Sequence, residues 1–236
     1  MTNHRILDMI MKKILLLAVV AIMATMSVNA QGYSYYDTKH EVGISIGYPA
    51  TSQVFSAIAD FTALVLEATM TSVVTLGTVT GYEYGDKVFT PSFSGEYYYH
   101  ISKVVGIGGM LTYNNMHRDI IFKWQNNVDK TTHQDKYGTA THHNISIIPT
   151  FKFDWLRTKN FGMYSKAGVG ATIMLERQKV DGASSDVNSK NNSTSVIPNI
   201  HLSLLGLEAG STTVRGFVEL GVGEQGFGVA GLRYKF

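Results

Sequence analysis

The chain has 236 residues and a mass of 26.0 kDa, with no cysteine, four prolines, 23 glycines and a formal net charge of +2. Without cysteine there is no disulfide, thiolate metal site, cysteine nucleophile or acylated lipoprotein anchor. Only 16% of residues are charged while 11% are aromatic, against roughly 25% charged in ordinary soluble domains, which points to a surface that does not face water everywhere.

Residues 1–30 have the layout of a cleavable secretory signal. Lys12 and Lys13 precede an apolar run over 14–24, and Val28-Asn29-Ala30 follows as a cleavage site. The run is shorter than the roughly 20 residues of a spanning helix, and Met1 to Ile10 reads as an extended n-region or an upstream start ahead of Met11. Removing the leader discards Arg5, Lys12, Lys13 and Asp8 and leaves residues 31–236 without net charge. An exported, neutral domain is not expected to bind nucleic acid.

The rest of the chain alternates. In 41–48 every even position is apolar (Val42, Ile44, Ile46, Tyr48) and every odd one small or polar, the period of a strand whose two faces differ. The pattern returns at 92–101, 105–113, 144–154, 161–175, 196–204, 213–222 and 230–236. These are eight candidate strands, most near the 9–11 residues that cross a bilayer at a tilt. One face is apolar; the other carries Glu41, Glu96, Lys152, Asp154, Lys166, Glu176, Arg215, Glu219, Arg233 and Lys235. A soluble sandwich would turn the charged face to water and a membrane barrel would turn it inward. Alternation alone does not choose between them.

Connection lengths favour the barrel. Short turns at 102–103, 155–160 and 207–212 alternate with segments of about 40, 30 and 20 residues, and only the short 223–226 breaks the pattern; this is the asymmetry of outer-membrane barrels. Within the first long connection, Val54, Ile58, Phe61 and Val65 recur at helical spacing. A short amphipathic helix lying over the barrel mouth is expected there, with a β-hairpin through 73–80 as the alternative. An interfacial helix is disfavoured because the polar face has no Lys or Arg. The stretch 179–195 has almost nothing to bury and is expected to be exposed.

The ending Gly231-Leu232-Arg233-Tyr234-Lys235-Phe236 resembles the C-terminal assembly signal of outer-membrane β-barrels, with Leu232, Tyr234 and Phe236 on one face. As architecture the mature chain is similar to the small eight-stranded barrels of the OmpA and OmpX type. The resemblance implies an all-β, antiparallel, up-and-down transmembrane barrel over 31–236 in the outer membrane of a Gram-negative-type cell. It also implies outer-membrane lipid and the barrel assembly machinery as partners. Specificity for an unidentified extracellular ligand would lie in the loops 49–86, 114–141 and 177–194.

An eight-stranded lumen is just wide enough for side chains to fill, so the inward acids and bases are expected to pair as a structural network. A narrow pore or ligand-binding barrel is the rival reading. An enzyme is the third: His201 and Ser203 share a strand face, with Glu208 or Glu219 as orienting acid, as in lipid A-modifying barrels. The pair would point into the lumen, away from lipid, and no catalytic residue is assigned. His117, His133, His142 and His143 cluster near one loop, but adjacent His142 and His143 face opposite ways, and neither a metal nor another cofactor is expected. Pro149 and Pro198 fall inside expected strands although proline cannot donate to a ladder.

Overall fold

The computed structural model describes residues 38–60, 81–125, 132–180 and 190–236. The leader, the continuation of the loop helix beyond residue 60 and the alternative hairpin at 73–80 lie outside them. The chain folds as β1 (His40–Tyr48), α1 (residues 51–60), β2 (Gly81–Tyr84), β3 (Val88–Phe89), β4 (Ser92–His100), β5 (Val105–Gln125), β6 (Thr132–Arg157), β7 (Phe161–Val180), β8 (Lys190–Gly210), β9 (Val214–Val222) and β10 (Gly228–Lys235). Strands β1, β4, β5, β6, β7, β8, β9 and β10 pair in that order, all antiparallel, and β10 returns to β1. The sheet is therefore a closed eight-stranded up-and-down barrel. Closure leaves no edge where the ring is complete.

The alternation sets what faces where. Ile44, Phe151 and Leu220 are 65%, 64% and 63% exposed on the outer wall, while Glu41, Lys152, Arg215 and Arg233 are buried inside. Strands β1, β4 and β9 have nine residues each and β10 has eight, close to the length needed to cross a bilayer at a tilt.

Two bulges near the short-turn end break the period. The register shifts between Asp154 and Leu156 on β6 and between Ser203 and Leu205 on β8, where the extra residue is felt by both neighbours, β7 and β9. One extra residue moves every following side chain to the opposite face. On β6 the burial of Asp154 is followed by that of Arg157, and on β8 that of Ser203 by Glu208. Both strands also run further than the alternation suggests, so residues 155–157 and 207–210, expected as turns, are strand.

At the other end the expected loops are largely strand as well. Strand β4 stops pairing with β5 at Tyr113, yet β5 and β6 stay paired to Gln125 and Thr132. Strands β7 and β8 pair as far as Lys179 and Lys190. From Asn114 to Gln125 alone the sheet rises by about 40 Å of strand, a four-stranded extension above one side of the ring. Strands β2 and β3 line its β5 edge. The extension is illegible as strand because neither face is uniform: Met116, Ile120 and Ala140 are buried on the same sheet as polar and charged neighbours.

The two prolines are accommodated differently. Pro198 pairs with Ala171 in the stretch of β8 above the end of β9, whose pairing starts at Leu202; there one side of β8 is an edge. Around Pro149 the β6–β7 ladder skips from Ile147 to Thr150 and resumes in the same register. No bulge is needed.

Candidate functional site: a filled lumen under a latched helix

The lower lumen is an ion-pair lattice. Lys152 lies 2.6 Å from Glu41, 3.3 Å from Asp154 and 3.7 Å from Glu208. Lys166 is 2.8 Å from both Glu96 and Glu219. Arg233 sits at the centre, paired with Glu96, 2.8 Å from Glu208 and 3.6 Å from Glu41 and Glu219. Lys235 bridges Glu41 and Glu208, and Arg215 reaches Glu208 at 2.7 Å. Rings fill the gaps: the Arg233 guanidinium stacks 4.7 Å from the Tyr164 ring and 4.3 Å from that of Phe217. Every one of these charges is buried, and an unpaired charge there would cost several kcal/mol, so the lattice must be nearly complete to fold.

Residues missed by sequence reasoning complete it. Glu208 and Arg157 arrive through the bulges, and no signal in the alternation gives them away. His100, at the end of β4, lies 2.9 Å from Glu41 and 3.3 Å from Asp154; its place on the polar face was a usable signal. Glu176 is not part of the lattice. It stands in the upper extension, half-buried, 3.9 Å from His142, because β7 climbs past the ring before reaching it. Burial pulls the His142 pKa below the usual histidine value, against the opposing pull of Glu176.

Above the charges the lumen becomes uncharged and polar. Ser94 bonds Thr112, Ser146 bonds Thr172, and Asn199 donates to Thr172. The β9–β10 turn then folds inward over them. Gly223 and Gly226, at φ of 155° and 126°, allow the bend that buries Glu224 and Gln225 between them. Gln225 donates to Ser45 and accepts from Lys166. Glu224 accepts from the Ser52 backbone N–H at 2.9 Å, from Ser52 Oγ at 2.6 Å and from Asn114 at 3.2 Å. Ser52 lies in the first turn of α1, so the β9–β10 turn ties the helix N-terminus across the mouth, and the Gln53 side chain accepts from the Ala50 N–H to cap it.

His201 and Ser203 do come together with Glu219. His201 Nε2 is 3.0 Å from Ser203 Oγ, which donates to Glu219 at 2.8 Å. The serine proton is thus directed at the carboxylate, and His201 Nε2 can only donate to the serine oxygen. That is the reverse of the base–nucleophile polarity that catalysis needs, in a triplet that is fully buried. Of the loop histidines, His143 bonds Tyr113 and Asn115 on the outer wall while His142 faces Glu176. Among the described residues no group of His, Asp and Glu has metal-holding geometry.

The chain end lies on the outer wall at the seam. Leu232, Tyr234 and Phe236 are all exposed. Phe236 exchanges both backbone hydrogen bonds with His40 and stacks on its ring at 5.3 Å.

No family model and no curated protein matches the chain. Among solved structures it is similar to Ail, the attachment invasion locus protein of Yersinia pestis, in complex with the heparin analogue sucrose octasulfate. The similarity covers 84% of this chain and 99% of that one, at 12% identity and a TM-score of 0.40. The closed ring stands on its own strand register.

Proposed function

We propose that the protein is an outer-membrane β-barrel with a structural and surface-interaction role, its lumen closed by its own side chains. In this reading outer-membrane lipid surrounds the wall, the short turns face the periplasm, and the β5–β8 extension with α1 presents any recognition surface outside the cell. Residues 1–30 would be the export signal. Leu232, Tyr234 and Phe236 would be read by the barrel assembly machinery.

The observation that carries the reading is the inversion of the wall: apolar side chains outward on every strand of the ring, with Lys, Arg and Glu packed inside. In water such a belt would be an apolar patch far larger than a monomer ordinarily exposes. The lattice, the inward turn and α1 lie in series along the lumen, and that obstruction supports a structural role over a pore. The test has two parts. Purified from the membrane fraction, the protein should migrate differently in a detergent gel with and without boiling; in a planar bilayer it should give no steady unitary conductance. A boiling-independent band would remove the barrel from the membrane, and regular conductance steps would restore the pore reading.

A further inference from the structure

Helix α1 is amphipathic the wrong way round for a helix packed on a protein. Ser52, Ser56 and Asp60 follow one another at four-residue intervals and so share a face, and with Gln53 they make the contacts to the barrel. Ser52 is held by Glu224, Gln53 donates to the Thr90 carbonyl, Ser56 contacts Met116 and Lys87, and Asp60 pairs with Lys87 at 2.6 Å. The apolar residues Val54, Phe55 and Ile58 point the other way, with Phe55 67% and Ile58 54% exposed. A helix on a water-soluble domain buries its apolar stripe. This one repeats the inversion of the wall beneath it.

We infer that the outward face of α1 is a docking surface for an acyl chain of the outer leaflet. Beside the helix lies a groove of about 420 Å³ lined by Tyr48, Pro49, Val54, Ala57, Ile58 and Phe89, with Gln53 as its polar member. Tyr48 also borders a second apolar groove lower on the wall, with Ile46, Val218 and Leu220. The apolar surface therefore runs without a break from the proposed lipid belt up onto the helix. No charged residue lines the upper groove, and the charges near the helix, Asp60 with Lys87 and Arg118, lie on the opposite side. An interfacial helix ordinarily holds its place with Lys or Arg on its polar face. Here the barrel does that work through the polar face, which is why α1 can contact lipid without basic residues.

This rests on the membrane reading above, and the test separates the two. The sequence has no cysteine, so single variants Phe55→Cys, Ile44→Cys and Asp86→Cys can each carry one nitroxide label. The folded proteins are reconstituted into vesicles of phosphatidylethanolamine and phosphatidylglycerol. Collision with oxygen, which concentrates in hydrocarbon, is then compared with collision with a water-soluble nickel chelate. The label at 55 should favour oxygen severalfold, as the label at 44 does, while that at 86 favours the chelate. A water-like label at 55 with a lipid-like label at 44 overturns this inference alone. So does a label at 55 shielded from both reagents, which means that residues 61–80 or another protein cover the face. Spin–spin broadening at 55 that vanishes on dilution with unlabelled protein overturns it in favour of a second copy. A water-like label at 44 removes the membrane reading and the inference with it.

Discussion

Glu224 holds Ser52 by two hydrogen bonds, one to the backbone N–H and one to the hydroxyl, across 172 positions of sequence. A carboxylate from the β9–β10 turn thereby closes the first turn of α1, where helix N–H groups otherwise lack partners and negative charge is favoured. Hydrogen bonds to a charged group are worth about 1.5–3 kcal/mol each. Glu224→Ala should release α1 while leaving the ring intact. Lys87, now largely covered by its contacts with Ser56 and Asp60, should be cut by trypsin at least about tenfold faster, since about 1.4 kcal/mol is a factor of ten. The heat-dependent gel shift should be unchanged. Cleavage at the wild-type rate would mean that the turn and the helix are neighbours without coupling.

The wall of the ring is legible because strands with unlike faces leave a period of two, and the connection lengths, not the period, separate a barrel from a sandwich. Glu41, Glu96, Lys152, Asp154, Lys166, Glu219 and Arg233 lie inside because that period carries them there. It fails wherever a bulge resets it, as at Glu208 and Arg157, and wherever a strand climbs past the ring while its alternation continues, as at Glu176. The inward turn is a different case. Gly223-Glu224-Gln225-Gly226 looks like any short connection, and only the space above the filled lumen decides that it folds in rather than out.

That space is made by Gly47. A Cβ there would sit 2.1 Å from the Gln225 carbonyl oxygen, which is backbone and cannot swing aside. Gly47→Ala should push the turn out of the mouth and lower stability by about 1–3 kcal/mol, the usual cost of overpacking. Gly95→Ala is the control, since nothing lies within 4 Å of its added carbon. Urea midpoints of the folded band in detergent micelles compare the two. Equal midpoints would show that the turn shifts at no cost.

The lattice predicts a contrast between two glutamates on neighbouring strands. Glu208 is the shared partner of Arg215, Arg233 and Lys235, so Glu208→Gln leaves buried cations without their counter-charge. Breaking a buried pair in this way costs about 3–5 kcal/mol. Glu176→Gln touches a long, half-exposed contact with His142 and keeps an oxygen to accept from Gln178, and it should stay within about 0.5 kcal/mol of wild type. The unfolding midpoint in urea reads both. If the two variants lose equal stability, the interior is wet enough to screen its charges and the lumen is not closed.

The outer wall can be tested by the same logic turned outward. Ile44 sits mid-strand on β1, paired to Leu232 on one side and Gly95 on the other, and its side chain has no protein to bury against. In water an arginine there would cost little, because the exposed apolar surface it replaces gains nothing from the solvent. In a bilayer the guanidinium must be dragged toward the midplane, and on a barrel wall that costs about 2–4 kcal/mol. Ser195, exposed on β8 above the ring, is the matched site outside the belt, where Ser195→Arg should change stability by less than about 0.5 kcal/mol. Unfolding of Ile44→Arg and Ser195→Arg in phospholipid vesicles should therefore separate by at least about 2 kcal/mol. Equal midpoints would mean that Ile44 meets water, and a ring with ionic groups inside and a wetted apolar wall has no solvent in which it is the stable fold.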